Sequence, residues 1–261
     1  GLVGAGRSEI MRAIFGVDAY DSGTISIDGK PVTISNPVQA RRHGLALVPE
    51  DRKKEGLALR LSILNNMTMV KISEINHLGF IDKKTQRSLA DQYVKEIRVK
   101  TPSVNQLAGN LSGGNQQKVV IAKWLMENPD ILILDEPTRG IDVGSKAEIY
   151  EIIYEIAKKG ASVIVVSSEL PEILGICDRI ITVAEGKITA EFSGGAESDA
   201  GHCAAPAHRF GGRTAERHSG RRDSAELLCF HPGHDEPLYR CGAAVYQEEY
   251  IPHRRRFHDL L

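Results

Sequence analysis

Two stretches decide the fold of this chain: LSGGNQQK at residues 111–118 and ILILDEP at residues 131–137. The first is a glycine-containing turn followed by a helical pattern, and such a turn leaves backbone N–H groups and a serine hydroxyl free to hold a phosphate. The second is an apolar run that ends in two adjacent carboxylates. This pattern is typical of a buried parallel strand that delivers acids to its carboxyl edge. Together they predict an α/β domain with a phosphate site at the edge of its sheet.

The beginning of the chain, GLVGAGRS, is typical of a phosphate loop (P-loop) with arginine where lysine is usual. Gly1, Gly4 and Gly6 let the backbone approach phosphate oxygens, and the helix that begins near Ser8 directs its N-terminal amides at them. Ser8 occupies the position of a hydroxyl that ligates magnesium. Because a guanidinium is a wide planar fork and an ammonium a compact charge, Arg7 favours a site that faces nucleotide but is weakly catalytic. The alternative is a Gly-rich turn without a ligand.

The composition is ordinary for a soluble globular protein, with 41% hydrophobic and 26% charged residues among 261. The formal net charge of −1 argues against a nucleic-acid partner, which usually needs a basic face. No apolar stretch approaches the length of a membrane span, and no signal peptide is recognisable. We therefore expect any membrane role to come through an integral partner.

Strand and helix patterns alternate along residues 9–192, as an α/β domain with a mostly parallel sheet requires. Among them, the pattern predicts strands at residues 45–48 and 131–134 and helices at residues 115–127 and 146–159. A turn at Asp28-Gly29 between two alternating runs predicts an antiparallel hairpin. The mainly helical stretch at about residues 62–110, which is interrupted around Gly79, predicts a helical subdomain. A phosphate loop normally follows a buried strand, so we expect that residues 1–193 form a domain that lacks its first strands.

The composition changes abruptly near Ser193. All fourteen lysines precede this residue, whereas seven of the nine histidines and three of the four cysteines follow it. We expect residues 194–261 to be a disordered tail, and out-of-frame translation of GC-rich DNA explains its composition. A metal site is the alternative, but the spacing of the candidate ligands fits no regular zinc pattern. These candidates are His202, Cys203, His208, Cys229, His231, His234 and Cys241.

Five motifs together carry a resemblance to a known family: LSGGNQQK, LDEPTRGIDVGSK, VPEDRKKEGL (residues 48–57), VKTPS (residues 99–103) and VSSELPEILGICDRI (residues 166–180). They resemble the second nucleotide-binding domain of bacterial monosaccharide importers of the ribose, galactose and xylose type, in the ATP-binding cassette (ABC) class. That cassette commonly carries GAGR in its phosphate loop, so Arg7 agrees with the resemblance, which covers roughly residues 1–192. It implies the P-loop NTPase fold, with ATP and Mg²⁺ as ligands.

The same resemblance implies the partners and the location. The partners are an integral membrane sugar permease, a fused N-terminal sister cassette and, indirectly, a periplasmic sugar-binding protein. The implied location is the cytoplasmic face of the plasma membrane. The substrate sugar is not readable, because the binding protein and the permease select it.

The resemblance also implies the roles of individual residues. Glu136 matches the general base that polarises the attacking water, and Asp135 matches the carboxylate that supports magnesium. Asp142 matches a residue that communicates across a dimer of cassettes. Asn115 replaces a more usual glutamine and is expected to matter little. The nucleotide-binding positions are Gly1, Gly4, Gly6, Arg7, Ser8 and Glu9, the magnesium positions are Ser8, Glu50 and Asp135, and the signature turn, which closes over the nucleotide of a partner cassette, is Ser112, Gly113, Gly114 and Asn115.

Two further positions depart from the general ABC pattern. Glu50 stands where a glutamine usually senses the γ-phosphate and magnesium, and a carboxylate there adds negative charge beside phosphate. Ser168 stands at the switch position, where a histidine usually contacts the γ-phosphate, and serine cannot carry a cation. With Arg7, these residues predict a site that binds ATP and hydrolyses it slowly or not at all. The intact signature turn would complete the active site of the sister cassette.

Other functions stay open. The altered residues Arg7, Glu50 and Ser168 favour a noncatalytic, nucleotide-dependent dimerisation or regulatory module, whereas the retained Glu136 opposes it. An inactive gene fragment is a further alternative. A DNA-associated ABC ATPase would carry long coiled-coil insertions, and no sustained heptads appear in this sequence.

Several leucines that follow the nucleotide-sensing loop have two interpretations of equal weight. They pack the core of the helical subdomain, or some of them line a groove that receives a short cytoplasmic helix of the permease. These residues are Leu57, Leu59, Leu61 and Leu64.

Overall fold

The structure is a computed structural model that describes residues 6–184, 187–193, 227–229 and 242–244. Its α-helices are α1 (Arg7–Ile14), α2 (Pro37–Arg42), α3 (Ile63–Thr68), α4 (Lys83–Glu96), α5 (Gly113–Leu125), α6 (Val143–Lys158) and α7 (Leu170–Ile176), with a π-helical segment (Arg52–Gly56) and a 3-10 turn (Ala108–Asn110). Its strands are β1 (Ile25–Ile27), β2 (Lys30–Val32), β3 (Leu45–Val48), β4 (Asn76–His77), β5 (Phe80–Ile81), β6 (Ile131–Asp135), β7 (Ser162–Ser167), β8 (Arg179–Ala184), β9 (Lys187–Ser193), β10 (Leu227–Cys229) and β11 (Gly242–Ala244). Among the described residues, no helix is long and apolar enough to cross a membrane.

A seven-stranded sheet forms the centre of the fold. Its strands β3, β6 and β7 are parallel, and Ile131 lies opposite Leu45 on one side and Ser162 on the other. Strands β8 and β9 form an antiparallel hairpin, while β10 pairs with β7 and β8, and β11 pairs with β8. The expected α/β class with a parallel sheet and an antiparallel portion is confirmed.

Two strands lie within the tail that the sequence predicts to be disordered. At residues 227–229 the chain forms β10, which pairs with β7 and β8, and at residues 242–244 it forms β11, which pairs with β8. Disorder of the tail as a whole stays a prediction. The other tail residues, including most of the candidate zinc ligands, lie outside the described residues.

Packed side chains cover both faces of the sheet, and the alternation of β6 explains how. Leu132 and Leu134 pack with Val120 of α5 and Ile153 of α6, whereas Ile133 lies in the cluster on the opposite face with α1 and the β1–β2 hairpin. Successive residues of a strand point to opposite faces. The apolar run of β6 therefore supplies core residues to both faces of the sheet.

The predicted helical stretch contains α3, the β4–β5 hairpin and α4. Ser62 caps α3 by accepting a hydrogen bond from Asn65 N at 3.2 Å, and Asp82 caps α4. The interruption expected around Gly79 is the tip of the hairpin, where that glycine has a φ of 89°. The Asp28-Gly29 turn likewise joins β1 and β2, as predicted.

The leucines that follow β3 divide between the two interpretations. Leu57 is buried in the core, and Leu59 and Leu64 pack against it. Leu61 is 40% exposed. The contacts therefore favour core packing for Leu57, Leu59 and Leu64. Leu61 is the exposed member of the set.

Candidate functional site

The carboxyl ends of β6 and β7 and the beginning of α1 meet at one edge of the sheet. Asp135 is the last residue of β6, is 4% exposed, and its carboxylate is hydrogen-bonded to the Ser8 hydroxyl. Glu136 follows with a φ of 47°, a left-handed backbone that is uncommon outside glycine, and its N–H donates to Val166 O at 2.8 Å. The structure thus brings Ser8 close to the adjacent acids Asp135 and Glu136, which lie far from it in the sequence.

An ion pair joins the phosphate loop to the predicted general base. Arg7 Nη2 lies 2.9 Å from Glu136 Oε1, and the two side chains are 11% and 4% exposed. Ser168 Oγ donates to the other carboxylate oxygen, Oε2, at 3.2 Å. Burial raises the pKa of Glu136, while Arg7 and Ser168 act in the opposite direction. Both oxygens of Glu136 are therefore near a positive or hydrogen-bonding group.

Asp135 provides a test of whether the site fits magnesium. Its Oδ1 is buried and has no hydrogen-bond partner among the residues that the structure describes. Burial raises the pKa of Asp135 to about 6, although Ser8 and Arg7 lower it. Mg²⁺ prefers oxygen ligands, so a buried, unsatisfied carboxylate oxygen beside a hydroxyl fits this ion. The third predicted ligand, Glu50, forms an ion pair with Arg139.

The remaining positions of the predicted nucleotide site are at the chain's beginning. Gly6 precedes α1 with a φ of 81°, and its carbonyl accepts a hydrogen bond from Ile10 N at 3.0 Å. Glu9 is exposed in the first turn of α1. Gly1 and Gly4 lie outside the described residues.

A side chain of α5, Asn115, fixes the signature turn by hydrogen bonding. Ser112 is exposed and precedes α5, and its Oγ accepts a hydrogen bond from Asn115 Nδ2 at 2.9 Å. Asn115 Oδ1 in turn accepts from Lys100 N at 2.7 Å. The Asn115 amide thus connects the serine hydroxyl to the neighbouring backbone. That asparagine in place of glutamine matters little at this position stays a prediction.

The predicted dimer-communication residue lies next to the same turn. Asp142 caps α6 by accepting a hydrogen bond from Ser145 N at 2.9 Å. This hydrogen bond is the main cause that lowers the pKa of Asp142. A Cβ added at Gly114 would collide with the side chain of Ser145. The signature turn and the loop before α6 therefore form one continuous surface.

A buried carboxylate beneath the site was not predicted. Glu172 of α7 accepts hydrogen bonds from Thr138 Oγ1 at 2.6 Å and from Ser167 Oγ. Burial, and then Glu172, raise the pKa of the Tyr150 hydroxyl. These contacts fix the loop after Glu136 to the end of β7. The sequence signal for these contacts is the single acid, Glu172, at a position of the apolar face of α7.

The arrangement of a phosphate-loop helix, two acids at the end of a central strand and a separate signature turn defines an ATP-binding cassette. Residues 1–139 match the family described as ABC transporter, so the chain belongs to this family. The chain is 52% identical over 190 residues to a ribose import ATP-binding protein of Geobacillus kaustophilus. It is 53% identical over 188 residues to the ribose import ATP-binding protein of Lactococcus lactis.

These alignments include 73% and 72% of this chain, which spans 38% of the length of each relative. Among solved structures, the fold is similar to the dimeric post-hydrolysis state of the ATP-binding cassette MJ0796 bound to ADP and phosphate. The TM-score is 0.63 with 25% sequence identity, over 74% of this chain and 83% of that one.

Proposed function

We propose that this chain is the second cassette of the ATP-binding subunit of a monosaccharide ABC importer. In that role it couples ATP binding and hydrolysis to sugar uptake through an integral permease at the cytoplasmic face of the membrane. A periplasmic sugar-binding protein would deliver the substrate. About half of its aligned residues are identical to those of ribose import ATP-binding proteins, which supports this assignment. The ion pair between Arg7 and Glu136 is the observation that supports different roles for the nucleotide sites of the two cassettes.

This ion pair favours a nucleotide site that holds ATP and hydrolyses it slowly. A general base must accept a proton from the attacking water, and a guanidinium at 2.9 Å stabilises the deprotonated carboxylate and so lowers its basicity. Ser168 occupies one lone pair of the other oxygen and carries no charge of its own. Substrate ATP would bind at the amides that begin α1, with its phosphates near Gly6 and Ser8.

Magnesium at this site would be held by Ser8 and Asp135. When bound, the ion offsets the charge of the nucleotide's phosphates. Ser8 orients the Asp135 carboxylate by hydrogen bonding, which leaves Oδ1 for a ligand. Glu50 is the proposed third ligand, and its ion pair with Arg139 would have to open for that role.

The signature turn is the part of this cassette that would serve the sister cassette. Ser112 is exposed and oriented by Asn115, and the N–H groups that begin α5 are free of intrahelical partners. A γ-phosphate approaching along this axis would meet a hydroxyl donor and the positive end of the helix. One site would then hydrolyse ATP while the other holds it.

The test uses the full tandem subunit with its permease in proteoliposomes. Ser112→Arg should remove most ATPase activity and sugar uptake, because a bulky cation blocks closure over the nucleotide. Asn105→Arg, at an exposed position outside the turn, is the matched control and should keep both activities. If turnover stayed near wild type in Ser112→Arg while Arg7→Ala abolished it, the working and holding sites would be assigned the wrong way round.

The ion pair also favours a second function, a noncatalytic module that dimerises when it binds nucleotide. Glu136→Gln, compared with the matching change in the sister cassette, shows whether this cassette's own site hydrolyses ATP. If both sites contribute to catalysis, each substitution lowers turnover. If Glu136→Gln leaves turnover unchanged, Ser112→Arg separates the two functions, because it stops hydrolysis at the sister site only when this cassette completes that site.

A further inference from the structure

Arg52 begins a short π-helical segment that is fixed at both ends. At its beginning, Asp51 Oδ1 accepts hydrogen bonds from Lys53 N at 3.0 Å and Lys54 N at 3.1 Å. At its end, the buried Lys123 of α5 donates to Gly56 O at 2.6 Å. The backbone that carries the Arg52 side chain is therefore tied to the signature helix.

The guanidinium of Arg52 holds the turn that leads to Asp142. Nη1 donates to Arg139 O at 2.8 Å, and Nη2 donates to Gly140 O at 3.2 Å. Gly140 has a φ of 66°, so the two carbonyls belong to a tight turn. A planar fork can bind two successive carbonyls at once, which the single ammonium of lysine does not reproduce.

The same guanidinium lies against the signature turn. A Cβ added at Gly113 would approach Arg52 Nη2 to 2.8 Å and Gly140 O to 3.3 Å. The turn at residues 139–140, the guanidinium and Gly113 are thus in mutual contact, and we call this set the arginine bridge. The ion pair between Glu50 and Arg139 adds a second connection between the same two segments.

We propose that Arg52 is a positioning residue that keeps the signature turn and the Asp142 loop in register for closure on the sister cassette's nucleotide. This inference rests on the proposed function. Within the described residues, no backbone hydrogen bond joins the signature turn to the turn at residues 139–140. The Arg52 guanidinium supplies the polar connection between them. Movement of residues 50–52 would then be passed to both turns together.

The test again uses the full tandem subunit with its permease. Arg52→Lys keeps the charge but not the paired donors, and Arg52→Ala removes both. Losing one hydrogen bond from a charged donor corresponds to about a tenfold fall in rate, so we expect kcat for ATP to fall about tenfold in Arg52→Lys and further in Arg52→Ala, which loses both hydrogen bonds. The KM for ATP should stay near wild type, because the Arg52 guanidinium donates to Arg139 O and Gly140 O and to none of the phosphate-loop residues that the structure describes. Lys53→Ala, the exposed neighbour in the same segment, is the control.

Hydrogen exchange provides a readout that holds even if Arg52→Ala does not fold. In Arg52→Lys, amides of residues 112–116 and 139–142 should exchange faster while those of the β-sheet do not change. Unchanged exchange in both turns, wild-type kcat in Arg52→Lys, or an equal loss in Lys53→Ala would each overturn the inference. The proposed function is judged separately: it fails if Ser112→Arg leaves turnover unchanged, whatever the Arg52 variants do.

Discussion

Replacing Asp135 by asparagine should stabilise the ligand-free chain and remove its response to magnesium. Asp135 is 4% exposed, and its Oδ1 lacks a hydrogen-bond partner within the described residues. Burial raises its pKa from 3.8 to about 6. That increase is about two pKa units, and each unit corresponds to about 1.4 kcal/mol. Ionising this buried carboxyl therefore costs about 3 kcal/mol of folding free energy.

The sign of this effect sets its pH dependence. The pKa of the folded state is higher than that of the unfolded state, so the protonated carboxyl contributes stability below pH 3.8 that is lost as the pH rises through about 6. Asparagine is neutral throughout and can still accept the hydrogen bond from Ser8. Relative to wild type, the variant should therefore gain stability from about pH 4 to about pH 7 and remain about 3 kcal/mol more stable above that range.

Urea unfolding of both chains at about pH 5 and about pH 7.5, with and without millimolar Mg²⁺, measures these differences. Mg²⁺ should stabilise the wild type at the higher pH and leave Asp135→Asn unchanged, because the ion binds the folded carboxylate. Asp130→Asn, just before the same strand and exposed, is the matched control. A variant less stable than wild type at about pH 7.5, or a difference that does not change with pH, would refute the reasoning.

Three further predictions concern the packing around the site. Gly114→Ala should destabilise the chain by about 1–3 kcal/mol in urea unfolding, because its methyl group meets the side chain of Ser145, and adding Ser145→Gly should restore most of the loss. Glu172→Gln should cost about 1–3 kcal/mol, because each buried hydroxyl donates to a different carboxylate oxygen and the amide nitrogen that replaces one of them cannot accept, and an unchanged unfolding midpoint would contradict the network. Burial lowers the pKa of Lys123 from 10.5 to about 8, so wild-type stability should rise from about pH 8 to pH 10.5 relative to Lys123→Met. Parallel pH profiles of the two proteins would exclude that pKa.

The elements of this fold were predictable where the local pattern was strong. Strand β3 has the predicted bounds, and β6 differs by one residue, because continuous apolar runs bounded by turn residues have few alternatives. Helix beginnings were less accurate. The sequence predicted α5 from Asn115 and α6 from Lys146, whereas they begin at Gly113 and Val143. Glycine and valine are weak helix formers, so the pattern hides a first turn that is set by Ser112 and Asp142.

The site was predictable in its outline and not in its contacts. The closeness of Ser8 and Asp135 follows from topology, because the phosphate-loop helix and the carboxyl end of a central strand share one edge of the sheet. The Arg7–Glu136 pair and the contacts of Arg52 with the turn at residues 139–140 depend on how far long side chains reach between segments distant in sequence. No local spacing encodes such contacts.

Under the proposed function, the Arg7–Glu136 pair is the feature that disfavours catalysis at this cassette's own site. Without nucleotide, the guanidinium stabilises the Glu136 carboxylate and weakens it as a base. Under the proposed function, ATP phosphates compete with Glu136 for the guanidinium of Arg7. Withdrawing the guanidinium would remove the main influence that opposes burial, so the pKa of Glu136 would rise further. Because a higher pKa makes the carboxylate a stronger base, a site that holds ATP requires the Arg7–Glu136 pair to persist while ATP is bound. Under the proposed function, the exposed signature turn is then the catalytic contribution of this cassette.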